Sequence, residues 1–173
     1  MESQWVDRPE HVGLAVITHA ATGQLALAAM RHFIAGETIV MFSARASFNA
    51  PGRMTVQIDV DSHIELSPWF LSYTNHGCDP TVAFDTARGA LVALRALAPG
   101  DELTFFYPST EWFMAEPFTC SCGSVRCLGL IAGASRMAPE LLAAYWLAPH
   151  VRALLGAARQ DEAGALCEAP SAC

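Results

Sequence analysis

The sequence predicts a mainly β fold closed by a C-terminal helix. Three observations carry this reading. Short apolar runs recur between residues 12 and 107, bounded by Gly, Pro, Asn or Asp, which is the signature of strands joined by tight turns. Helical spacing of apolar residues emerges only late, at Leu141, Leu142, Tyr145 and Trp146. The 173 residues are 53% apolar and 16% charged, which suits one domain whose core needs no cross-links.

Residues 12–17 and 24–29 read as two strands around a turn at Thr22-Gly23. A turn over residues 34–37 precedes a strand from Thr38 to Phe42. Ser43 to Gly52 is of mixed character and ends in Pro51-Gly52, a loop signal. Met54 to Val60 alternates apolar and polar residues, predicting a half-buried strand. Glu65 to Tyr73 reads as one or two helical turns, and Asn75 to Thr81 as a loop. Val82–Thr86 and Ala90–Leu97 flank Arg88-Gly89 as a hairpin. After Pro99-Gly100-Asp101 comes a strand from Leu103 to Tyr107, then an irregular stretch to Pro117. Pro139 to Leu155 is the helix, with Pro139 in a first-turn position and Pro149 breaking or kinking it. The tail from Ala157 reads as loose. No internal repeat is present.

The net charge is -7, from 10 Lys+Arg against 17 Asp+Glu, which argues against a phosphate-binding surface and so against nucleic acid as the main partner. No apolar run approaches the ~20 residues needed to span a bilayer, so no membrane association is expected. Met1 to Glu10 lacks the basic and apolar pattern of a signal peptide. The expected setting is a reducing cytoplasm, where cysteine clusters bind metals or act in catalysis more often than they pair as disulfides.

Cys120, Cys122 and Cys127 place three thiols within eight residues. A Cys-x-Cys pair rarely has the geometry to close on itself. Zn²⁺ seeks four ligands in a tetrahedron, and a tight turn at Gly123-Ser124 would return Cys127 beside the pair. The fourth ligand must come from elsewhere. Cys167 and Cys173 lie in the tail, whereas Cys78 lies in the compact loop Asn75-His76-Gly77-Cys78-Asp79-Pro80. A structural zinc on Cys78, Cys120, Cys122 and Cys127 is the leading reading. A catalytic zinc with an open position, or disulfides, are the competing ones.

These segments resemble a known family. Asn75-His76-Gly77-Cys78-Asp79-Pro80 is similar to the Asn-His-Ser-Cys-x-Pro motif of SET-domain methyltransferases. Gly100 to Tyr107 (GDELTFFY) is similar to that family's Gly-Glu-Glu-Leu-Thr-Phe-Asp-Tyr, and Cys120 to Cys127 to the zinc-binding segment that follows many SET domains. All three stand in the family's order, over about residues 11 to 133. The resemblance implies small curved sheets around a pseudoknot crossing, in which the strand ending at Tyr107 passes the loop of Asn75 and His76. It implies S-adenosylmethionine (SAM) as cofactor and a lysine ε-amine as the usual acceptor. It divides the chain into a SET-like catalytic domain (11–113), a post-SET zinc-binding segment (114–133) and a C-terminal helix with a flexible tail (134–173).

Each residue then acquires an expected role beside an ordinary one. Tyr107 is the expected catalytic tyrosine, since methyl transfer is an in-line displacement governed by positioning; the alternative is a strand-end tyrosine in the core. Phe105 would share its face of the strand, and in the family Phe rather than Tyr there goes with higher methylation; the alternative is a core Phe. Asn75 and His76 would contact the cofactor, or serve as a turn residue and a buried imidazole. Gly23, Gln24 and Leu25 stand where the family has Gly-x-Gly against the cofactor's methionine part, with Leu25 replacing the second glycine; a plain β-turn is the alternative. Phe118 would stack on adenine, and Tyr73 and Trp112 would line an aromatic acceptor channel, against core packing for each. Gly77, Thr81 and Phe106 replace the usual Ser, Asn and Asp.

The function expected is methyl transfer from SAM, first to a lysine of a basic protein or peptide. The stretch between Phe42 and Asn75 is short for the family's variable insert. A second expectation is therefore a small-molecule acceptor, methylated or cyclised with SAM as an unconsumed scaffold. A third is a SAM-binding module without catalysis. The degree of methylation and the oligomeric state are not written in these motifs.

Overall fold

The computed structural model describes residues 8–19 and 23–167. Twelve short strands, two α-helices and several 3-10 turns follow one another among these residues. β1 (Leu14–Thr18) and β2 (Leu25–Ala29) form an antiparallel hairpin with Leu14 opposite Ala29. Thr22 of the predicted turn lies outside the described residues. Gly23 takes φ +70, a left-handed conformation that favours glycine.

β3 (Thr38–Met41) pairs with β9 (Ala90–Ala93), which pairs with β8 (Val82–Asp85), giving a three-stranded sheet that includes the predicted hairpin. A second three-stranded sheet has the order β4 (Ser43–Phe48), β6 (Ser62–Ser67), β5 (Thr55–Asp59). β4 corrects the expectation of a mixed stretch. It is an exposed edge strand, so no apolar alternation marks it in the sequence. β6 corrects the start of the predicted helical turn at Glu65. The chain stays extended to Ser67, and the 3-10 turn spans only Trp69–Tyr73, because a residue before proline disfavours the helical region.

The third sheet positions the candidate site. β10 (Glu102–Phe105) pairs antiparallel with β2 and parallel with the two-residue strand β7 (Asn75–His76). Thr104 stands opposite Asn75 and Phe105 opposite His76. The strand that leads to Tyr107 therefore runs directly beside the Asn-His pair, as expected. Leu14, Leu27, Phe33, Phe84, Leu91 and Leu103 fill the core between the sheets. Burial of such side chains, at about 25 cal/mol per Å² of apolar surface, is the main force holding these short strands together.

β11 (Phe118–Thr119) and β12 (Leu130–Ile131) form a small hairpin that carries the cysteine loop. The predicted helix from Pro139 to Leu155 is two helices. α1 (Pro139–Leu142) is one turn, and α2 (Pro149–Cys167) starts afresh at Pro149. Proline lacks the N–H needed mid-helix but suits a first turn, so it opens α2 rather than kinking one long helix. α2 passes through Ala157, where the sequence reading begins a loose tail; residues 168–173 lie outside the described residues. A separate core of Phe106, Leu142, Leu147 and Val151 seats these helices against the 3-10 turn Tyr107–Ser109. Among the described residues, no helix is long and apolar enough to cross a membrane.

Candidate functional site

A cleft of 1420 Å³ opens between the ends of β7 and β10, the residue 52–56 segment and the cysteine hairpin. Its lining includes Gln24, Asn75, His76, Phe105, Tyr107 and Phe118. Asn75 is the polar pivot. Its Nδ2 donates to the Leu25 carbonyl at 3.0 Å and to Glu102 Oε1 at 3.0 Å. Gln24 Nε2 donates to Asn75 Oδ1 at 3.4 Å. Glu102 Oε2 meets His19 Nε2 at 3.1 Å. The Gly23-Gln24-Leu25 segment thus lies against Asn75, although only Gln24 of the three lines the cleft.

His76 occupies the centre of an aromatic wall. Its ring lies 5.2 Å from Tyr107, 5.8 Å from Phe106 and 5.6 Å from Phe118, centroid to centroid. Nδ1 accepts the Tyr107 backbone N–H at 3.2 Å. Burial pushes the imidazole down to about 4, so the ring is neutral and its proton sits on the other nitrogen. That nitrogen, Nε2, points at Cys78 Sγ from 3.3 Å. A single side chain therefore joins the backbone of Tyr107 to the sulfur of Cys78.

Tyr107 is half-buried at the head of its 3-10 turn. Burial first, then the nearby Glu111 carboxylate, raises its phenol to about 12. The hydroxyl is consequently un-ionised at neutral pH. Phe105 packs on it with ring centroids 4.6 Å apart and on Phe84 at 4.7 Å, so it belongs both to the core and to the cleft wall. Tyr73 packs against the main core and Trp112 against the C-terminal core, and neither lines the cleft.

The four cysteines converge. The Sγ atoms of Cys78, Cys120, Cys122 and Cys127 all lie within 4.8 Å of one another. Cys78 and Cys120 are 3.8 Å apart, which matches the edge of about 3.8 Å of a tetrahedron with Zn–S near ~2.3 Å. None of the four is in a disulfide. The turn forms as the spacing predicts: Gly123 takes φ +71, and the Cys127 N–H returns to Ser124 O at 3.0 Å. Burial raises the Cys78 thiol and lifts Cys120 to about 12. At Cys122 burial also acts upward, but backbone hydrogen bonds from Cys78 and Ser124 outweigh it and bring the thiol down to about 7. The donor set is soft, compact and partly screened from water, and it fits a thiolate-bound zinc.

Glu102, His19, Glu111 and Tyr145 also shape this region, and no sequence motif singled them out as such. Glu102 alone had a local signal, since it stands inside the GDELTFFY segment.

A family model described as the SET domain matches residues 10–108, more than half of the chain. The chain belongs to the SET-domain family. This SET domain ends, in that match, one residue after Tyr107, so the cysteine hairpin lies beyond it. The SET chain is 42% identical over 149 residues to "Methyltransferase flvH" of Aspergillus flavus, covering 80% of this chain and 83% of that protein. It is 36% identical over 67 residues to a histone-lysine N-methyltransferase, H3 lysine-36 specific, of Chaetomium globosum, and 31% identical over 75 residues to histone-lysine N-methyltransferase ash1 of Drosophila melanogaster. Those matches cover 35% and 40% of this chain but only 7% and 3% of the two histone enzymes. Among solved structures, KRYPTONITE in complex with mCHH DNA, H3(1-15) peptide and SAH superposes with a TM-score of 0.53 at 21% identity, over 68% of this chain and 29% of that one. At that identity the likeness shows the fold. The relatives and the motif geometry together make this chain a SET-domain methyltransferase, an enzyme that uses SAM.

Proposed function

We propose that this enzyme methylates an amine nitrogen, in the first instance the ε-amine of a lysine in a basic protein or peptide. The observation that carries the reading is the convergence of the Tyr107 phenol with the Asn75-His76 strand inside one cleft. SAM supplies an electrophilic methyl group on a sulfonium. Asn75, His76, Gln24 and Phe118 would hold it, through the polar edge at Asn75 and the aromatic face at Phe118. The un-ionised Tyr107 hydroxyl offers a fixed dipole to orient the acceptor nitrogen, and Phe105 bounds the room around that nitrogen. Cys78, Cys120, Cys122 and Cys127 would bind zinc, whose role there is to cross-link the cofactor loop to the hairpin that bears Phe118.

A small-molecule acceptor is the second reading. Arg53 and Glu116, both lining the cleft, meet in an exposed ion pair of 3.1 Å. The short stretch between Phe42 and Asn75, which the family uses for a longer variable insert, supports a compact acceptor over a long peptide.

The test is methyl-labelled SAM with purified enzyme, offered core histones in one series and simple primary and secondary amines in another. The expected result is label in one acceptor class with stoichiometric release of S-adenosylhomocysteine (SAH). Tyr107→Phe should lower the rate by about 10²-fold or more while SAM still binds. SAM binding without transfer to either class would sink the reading and leave a binding module.

A further inference from the structure

One buried charge in the cleft wall is left over by the roles assigned so far. Glu111 lines the cleft yet is only 7% exposed. Its Oε1 accepts the Gln57 backbone N–H at 2.8 Å and the Thr110 hydroxyl at 3.1 Å. Its own N–H bonds the Tyr107 carbonyl at 3.0 Å, which ties the backbone of residue 111 to the turn that carries Tyr107. Oε2 has no such donor. Its nearest cationic candidate is His63 Nδ1 at 3.8 Å, beyond hydrogen-bond reach.

The groups around Glu111 do not balance it. Burial, and then the neighbouring His150 of α2, lower His63 on β6, so both act against a histidine cation here. His150 is itself lowered by burial, and its Nε2 is engaged with the Thr110 carbonyl at 2.8 Å. Asp59 and Asp61 at the β5–β6 turn add negative charge to this corner. Arg53 is exposed at the lip and paired with Glu116. A desolvated carboxylate with one free oxygen and no cation must either take up a proton or receive a cationic ligand.

We propose that Glu111 receives the ammonium group of the acceptor in the cleft and removes its proton, making it a catalytic residue for methyl transfer. The inference rests on the reading above that the acceptor is an amine. In the step, one N–H bond of R–NH₃⁺ breaks and an O–H bond forms at Glu111 Oε2. The electron pair of the broken bond stays on nitrogen as the nucleophilic lone pair. Nothing is oxidised or reduced, and the proton later leaves to water through the cleft mouth. Burial holds the Glu111 carboxyl up at about 7, which suits a base that must gain and lose a proton near neutrality.

The test uses n-butylamine as the probe, titrated by calorimetry into the whole enzyme saturated with SAH, between about pH 6 and 9, where the amine remains a cation. Butylamine should bind the wild type more tightly as pH rises through about 7 and then level off. Glu111→Gln keeps an oxygen for Gln57 and Thr110, and should bind butylamine about tenfold or more weakly, with no pH dependence and unchanged SAH affinity. Binding of butylamine to Glu111→Gln within about twofold of wild type, with the same pH course, would overturn the proposal. Should Glu111→Gln fail to fold, carboxyl-¹³C glutamate NMR of the wild type decides. The Glu111 resonance should titrate at lower pH once butylamine is added, and an unmoved titration overturns the proposal. Methyl transfer is scored separately. Glu111-dependent binding without any transfer refutes the amine methyltransferase reading alone, and transfer with Glu111-independent binding refutes the Glu111 role alone.

Discussion

The phenolic hydroxyl of Tyr145 donates to the carbonyl oxygen of Cys78 at 2.9 Å, and its ring stacks on Phe106 with centroids 3.8 Å apart. One residue just after α1 thereby holds the loop of the candidate cofactor site and the segment just before Tyr107. The Arg126 guanidinium lies 5.5 Å from the same ring, on the cysteine loop. The C-terminal segment is therefore a brace for the site.

Tyr145→Phe removes the hydrogen bond and spares the stack. It should cost about 1 kcal/mol in urea denaturation. Tyr145→Ala also removes the stack, and the loss should rise to about 3 kcal/mol. Equal stability of Tyr145→Phe and wild type would show that the Cys78 carbonyl is as well served by water.

Zinc removal should reach the cofactor. Native mass spectrometry is expected to find one zinc per chain. Because His76 touches both Cys78 Sγ and the Tyr107 backbone, a chelator should weaken SAM binding by about tenfold or more, read by calorimetry. An unchanged SAM affinity after complete chelation would break this coupling, whatever the ligand set.

Gly77 sits close against Thr104. A Cβ at residue 77 would lie 2.7 Å from Thr104 Oγ1 and 2.9 Å from Thr104 Cβ. The family's motif pairs serine here with the same threonine, so the contact describes this chain's own packing and does not explain the glycine. Gly77→Ala should destabilise by about 1–3 kcal/mol. Adding Thr104→Ala removes the nearest atom and should recover part of the loss in a double-mutant cycle.

Glu111 also predicts a pH dependence of stability. Its folded value of about 7 stands above the ordinary 4.5, so between those values the native state binds more protons than the unfolded chain. This contribution therefore falls as pH rises through that window and levels off above it. Glu111→Gln removes the effect. Its stability relative to wild type should rise by on the order of 3 kcal/mol from pH 4 to pH 8, measured by urea denaturation at each pH. His76 opposes this trend in both proteins, whereas His63, 3.8 Å from Glu111 Oε2, is coupled to the substituted group and enters the difference itself. A flat difference would mean that the carboxyl is already solvated in the native state.

Where a signal was local, the sequence reading was good. The hairpin of β8 and β9 follows from two apolar runs around Arg88-Gly89, and the cysteine turn from Gly123-Ser124. Where a residue's environment came from distant strands, the reading failed or was silent. β4 looked irregular because an edge strand has little to bury. Tyr73 and Trp112 were open to an aromatic channel or to core packing; each is partly buried against a core and neither lines the cleft, and residue type cannot tell those fates apart. Glu102 is partnered across 27 residues by Asn75 and across 83 by His19, separations that no periodicity records.

Read alone, the sequence carried the resemblance to the SET family, pointed to the Asn75-His76 loop and Tyr107, and put three of the four thiols within eight residues, because each is a short local pattern. Folding decided that the thiols meet within 4.8 Å, that His76 links Cys78 to Tyr107, and that Pro149 opens a helix instead of kinking one. It also decided that Glu111 is buried without a balancing cation. A carboxylate's burial and its partners depend on which strands close over it, and three-dimensional packing alone fixes that.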